Sequence, residues 1–168
     1  MAFRRFSRTV SASVFEVIVV AALAVGCGGA GAGVTAAQEI PFTDHGATQQ
    51  SGYDGAPRIV AATDPAGTGL GQLAAKAGGR LYIAVFMGSQ RTGGHDIRVV
   101  RIDRAADTVT VRAMFSVPAP GAVTIQVLTS PAHLVSIERQ SAASAHEIAL
   151  FDQSGAERAR GSVPQSEP

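Results

Sequence analysis

The residues that could do chemistry in this 168-residue chain are few and scattered: one cysteine, Cys27, four histidines, His45, His95, His133 and His146, and a glycine-rich stretch, Gly67-Thr68-Gly69-Leu70-Gly71. A single thiol can form neither an intrachain disulfide nor a cysteine-built zinc site. None of the histidines stands in the i, i+4 or His-x-His spacing that preorganises a metal site; His95-Asp96 and His146-Glu147 are merely adjacent. The glycine stretch lacks the Gly-Lys-Ser/Thr ending of a phosphate loop, and the third glycine of a dinucleotide fingerprint would fall on Gln72. Gly-x-Ser-x-Gly is absent, and Gly88-Ser89-Gln90-Arg91 supplies only half of a nucleophile elbow. The spacing thus supports no catalytic, cofactor-binding or metal site.

Cys27 has a different use. Arg4, Arg5 and Arg8 precede the nine-residue apolar run Val17–Val25, which ends at Ala24-Val25-Gly26-Cys27. Positive residues, a short apolar core and small residues at the cut are the order of a secretory signal. Nine helical residues span about 13 Å, well short of the ~30 Å hydrocarbon core. Small residues directly before a cysteine resemble the lipobox of bacterial lipoproteins, so the expectation is a signal over 1–26 and a lipidated Cys27. Plain secretion and an uncleaved anchor are the alternatives. The signal carries three Arg and Glu16, a net +2, so the overall formal charge of +1 becomes −1 beyond it. Electrostatic steering to nucleic acid therefore has no basis in the mature chain.

Further along, a Gly/Ala linker is expected over 27–38, a β domain over 39–161 and a disordered tail over 162–168. Within the domain, Val109, Val111, Ala113 and Phe115 alternate with Thr110, Arg112 and Met114, the period of a half-buried strand. Val123, Ile125 and Val127 repeat that pattern after the turn-forming Pro118-Ala119-Pro120-Gly121, which predicts a hairpin whose apolar face, Ile125 included, lies in the core. Leu81–Met87 is apolar on both faces and reads as a central strand. Ile59–Ala62, Ile97–Ile102, Leu134–Ile137 and Ile148–Phe151 are shorter strands, and Leu70–Ala77 is the one expected helix. The fold class is all-β, a mostly antiparallel sandwich or barrel-like body with one short helix.

One loop stands out. Met87 to His95 leaves the most apolar strand, and Gly93-Gly94 gives the positive φ of a tight hairpin with exposed main chain. Rigid β scaffolds usually carry recognition on such loops. Arg91, Thr92, Gly93, Gly94 and His95, with Pro131 and His133 from the Ser130-Pro131 bend, are the candidate interaction surface.

Three blocks in order, Phe86 to Ile97, Val117-Pro118-Ala119-Pro120-Gly121, and Val127 to Val135, resemble the C-terminal domain of the protease complex subunit PrcB family over roughly residues 80–138. His95, Arg91 and Ala132 stand where that family commonly has Tyr, Pro and an aromatic. The resemblance implies an exported, non-catalytic β domain that accompanies a surface protease or another envelope complex: a protein partner, a membrane reached through lipid on Cys27, and no cofactor or small-molecule substrate. Thr92-Gly93-Gly94-His95 also looks like the Thr-Thr-Gly-Tyr loop of chagasin-like inhibitors of cysteine peptidases, and inhibition is the alternative function.

Overall fold

The computed structural model describes residues 37–165. The expected signal, the expected lipidation site Cys27 and most of the expected linker lie outside these residues. The described chain forms nine strands: β1 (Gln38–Glu39), β2 (Phe42–Thr48), β3 (Arg58–Ala62), β4 (Arg80–Phe86), β5 (Asp96–Ala105), β6 (Thr108–Ser116), β7 (Ala132–Glu138), β8 (Glu147–Phe151) and β9 (Glu157–Ser162). They make two facing sheets, of order β1-β5-β6-β8-β9 and β2-β7-β4-β3. Every pairing is antiparallel except β6 with β8. The expected all-β sandwich is what the chain builds.

The unbroken apolar run of β4 has a clear cause. Leu81, Ile83 and Val85 enter the main core between the sheets, with Val109, Val111, Val135, Ile137, Ile148 and Leu150. Tyr82, Ala84 and Phe86 point the other way, into a second cluster with Leu70 and Leu134, roofed by Tyr53, Leu73 and Ala74. The Tyr82 hydroxyl accepts from Ala77 N–H at 2.8 Å and donates to Ala75 O at 3.0 Å, fastening that roof to the sheet. β6 follows its alternation: Val109, Val111, Ala113 and Phe115 are buried while Arg112 and Met114 are exposed.

Four expectations are corrected. The second arm of the proposed hairpin does not exist. β6 is already paired on both edges, by β5 and by β8, so no edge remains for 123–127. Val123 is fully exposed and Ile125 is 72% exposed. The turn itself is present, closed by Ala122 N–H on Ala119 O with Gly121 at φ +81°. Leu70–Ala77 is not a helix; it holds one 3-10 turn, Gly71–Leu73, which follows another at Pro65–Thr68. Gly69 at φ +82° ends the earlier turn, and the Tyr82 hydroxyl holds the chain beyond the later one. Met87 to His95 is not a hairpin, because β4 and β5 belong to different sheets and the segment crosses between them. Finally, the tail is built in at its start. Ser162 ends β9, Val163 is buried and donates its N–H to His146 O, and the Gln165 amide donates to Ala145 O.

Candidate interaction site

The crossing from β4 to β5 is pinned along its length. Met87 N–H donates to Pro131 O at 2.9 Å, and Gln90 exchanges two main-chain bonds with Thr129, at 2.7 and 2.9 Å. Gly88 is required twice over: φ is +84°, and a Cβ there would lie 2.0 Å from Gly55 O. Beyond it, Gly93 N–H donates to Ile125 O at 3.1 Å, while Gly94, at φ +87°, faces Pro118. Thr92 Oγ1 and His95 Nε2 lie 3.3 Å apart. The three sequence blocks therefore converge at one end of the sandwich, with Gln90 on Thr129, Gly93 on Ile125 and Gly94 on Pro118.

This end has a distinctive chemistry. Arg91 is exposed, Thr92 and His95 are half-buried, and Gly93 lies buried beneath the Ile125 side chain. Val117, Ile125 and Leu128 are each more than 60% exposed, and Val123 fully so. An open cleft of about 550 Å³ runs between Gly94, His95, Ile125, Val127 and Gln49. His95 Nδ1 is buried and, among the described residues, has no hydrogen-bond partner.

Two of the candidate residues are not surface groups. Pro131 is buried, and His133 is completely so. β7 turns His133 into the space between the sheets, where Nδ1 accepts the Val99 N–H of β5 at 3.0 Å. That bond fixes the tautomer: the proton sits on Nε2, which donates to Asp44 Oδ1 at 2.9 Å. Burial pushes the Asp44 carboxyl up, but the Gly46 N–H and His133 outweigh it, and its pKa lies below the usual value. His133 is a fastener between sheets.

The remaining chemistry-bearing groups stay apart. His45 Nε2 is 2.8 Å from Ser136 Oγ, the contact a serine hydrolase uses. Here, however, Ser136 is 1% exposed and its oxygen also accepts from the Arg80 guanidinium. Burial and then Arg80 lower the His45 pKa. In the glycine stretch, Thr68 Oγ1 donates to Pro65 O and accepts from Leu70 N–H, so it serves its own turn. Among the described residues no three His, Cys, Asp or Glu side chains assemble into a metal-binding group.

A two-sheet sandwich with one loop-built end rich in exposed aliphatic side chains is the class of protein that fold and site define. Residues 81–138 match the family model described as PrcB C-terminal, the segment the three blocks had marked. No curated protein and no solved structure matches the chain. What sequence reasoning missed at this end is the exposure of Val123 and Ile125, and the clamp of Gln90 on Thr129, for which neither residue carries a local signal.

Proposed function

We propose that this chain is an exported, lipid-anchored, non-catalytic contact module, an accessory subunit of an envelope protease or another surface complex. The match of residues 81–138 to the PrcB C-terminal model carries this reading. The fold supports it through placement. The matched blocks meet at the end of the sandwich where β5 begins, whereas Gln38, the first strand residue, pairs with Arg104 near the end of β5. Eight residues of strand separate the two ends by roughly 26 Å. The chain thus enters the sandwich at the end opposite those blocks, which leaves them open to a partner. Peptidase inhibition fits less well, since Gly93 is buried under Ile125 and the Thr92–His95 loop is held down rather than free to enter a cleft.

The test is site-specific photocrosslinking of the full-length protein in its native envelope. A crosslinker at Arg91 should capture one discrete polypeptide, and one at Asp107, at the opposite end, should not. Equal capture from both positions, or from neither, refutes a dedicated contact end. Retention of Cys27→Ser in the membrane pellet refutes the lipid anchor.

A further inference from the structure

Lys76 is the single lysine of the chain, and it stands beside the roof of the second hydrophobic cluster, in the exposed run Ala75-Lys76-Ala77-Gly78-Gly79. We propose that this run is a substrate-like inhibitory loop for a serine peptidase with an acidic specificity pocket, which Lys76 fills. The loop and the class of peptidase both differ from those considered for Thr92–His95, and nothing here depends on the proposed function.

The main chain carries the argument. One buried oxygen, the Tyr82 hydroxyl, donates to Ala75 O and accepts from Ala77 N–H. Residues 75 and 77 thus turn their main-chain groups to the same side, inward, as alternate residues of an extended segment do. Ala74 before them is extended too, at φ −146° and ψ 143°. Lys76, between the two, turns its N–H and C=O outward, and among the described residues neither group has a partner. The same holds for Gly78. A peptidase receives its substrate as an added strand and aims its oxyanion hole at the carbonyl of the residue in the specificity pocket. Lys76 offers that carbonyl and a free N–H beside it.

The side chains agree. Ala74, Ala75, Ala77 and Gly78 flank Lys76 with no bulk to obstruct a cleft. Its ammonium, 67% exposed, lies 3.1 Å from Asp64, itself 43% exposed. So open a pair is worth little, and the ammonium exchanges it readily for a carboxylate enclosed in a specificity pocket.

Both ends of the run are held, which separates an inhibitor from a substrate. Upstream, Leu73 and Ala74 pack on the second cluster; downstream, Gly79 O accepts the Arg139 N–H at 2.9 Å. When the peptidase serine attacks, its oxygen joins the Lys76 carbonyl carbon, the Lys76–Ala77 bond breaks, and the hydroxyl proton ends on the Ala77 nitrogen. That amine stays at the Tyr82 hydroxyl instead of diffusing away, so it re-forms the peptide bond, expels the serine oxygen and returns the proton. A loop held in its bound shape also loses less entropy on binding.

Trypsin is the probe, assayed on a small peptide substrate in the presence of the purified full chain. The chain should inhibit competitively and be recovered whole, or cut slowly and only between 76 and 77. Lys76→Arg should keep the inhibition. Lys76→Glu should weaken it at least about 30-fold, the loss of an interface hot spot, with an unchanged unfolding midpoint. Tyr82→Phe leaves the ring in its cluster and removes only the hydroxyl; it should bind and then be hydrolysed between 76 and 77, turning inhibitor into substrate. Absence of inhibition by the folded parent chain, undiminished inhibition by Lys76→Glu, or cleavage of the parent as fast as of Tyr82→Phe overturns the proposal.

Discussion

His133 Nδ1 accepts the main-chain N–H of Val99 across the interior of the sandwich, joining the second strand of one sheet to the second strand of the other. The β5 edge would otherwise leave that donor buried and unpaired, which costs about 1–3 kcal/mol, and removing the imidazole adds a cavity. His133→Ala should lower stability by about 2–4 kcal/mol. The denaturant midpoint at constant slope measures this, and a loss below ~1 kcal/mol would contradict the fastening role.

Asp152 makes stability depend on acidity. The Ser154 hydroxyl, then the Ala156 and Ser154 main chain and Arg158, outweigh desolvation and hold its pKa at about 2 against an ordinary 3.8. Above 3.8 the group is ionised in folded and unfolded chains alike and its contribution is complete. Between 3.8 and about 2 the unfolded chain binds the proton first, so stability falls as pH falls. Asp44, Asp103 and Glu157 are lowered as well, so the slope is shared. Asp152→Asn should flatten it by up to one proton, read from unfolding midpoints across that window.

Core membership can be scored by two truncations. Leu150→Ala, at a fully buried position between the sheets, should cost about 2–5 kcal/mol. Ile125→Ala should change stability by no more than ~0.5 kcal/mol, because a side chain 72% exposed loses little on removal. Thermal unfolding of the two variants side by side checks the order.

The glycines of the crossing should respond unequally. Gly88→Ala meets both a left-handed φ and the Gly55 carbonyl, so a loss of at least ~2 kcal/mol is expected. Gly93 lacks positive φ, contrary to the sequence expectation. A Cβ there would lie 2.8 Å from Ile125 Cγ1, at a side chain able to swing outward. Gly93→Ala should be milder, and Ile125→Ala in the same chain should relieve it. Equal losses at 88 and 93 would refute this account.

The legible parts of the fold were those with paired or doubly covered apolar faces. β4, β6, β7 and β8 were readable because each buries a regular set of side chains. β2 was not: its Asp44-His45-Gly46 centre carries a bulge and no aliphatic alternation. β9 was hidden for a similar reason, as Arg158 and Arg160 pair with acids at the surface and only Ala159 and Gly161 turn inward. Residues 123–127 show the opposite failure. Their period is sound, but pattern records which face is apolar and not whether an edge is vacant; β8 had taken the edge of β6 from far along the chain. At the candidate site, Gly94 and the Pro118–Gly121 turn were read from residue type, whereas Gly88 was not, because its need comes from the Gly55 carbonyl, far off in sequence. Nor was His133, because a histidine on an apolar strand looks the same whether it faces a partner or a buried N–H.

The parallel pairing of β6 with β8 has a consequence for how the polypeptide is made. β8 is laid beside β6 only after β7 has been placed in the opposite sheet. β8 and β9 complete the first sheet from beyond β7, so its closure rests on pairings between residues far apart in sequence, the kind of topology that folds slowly.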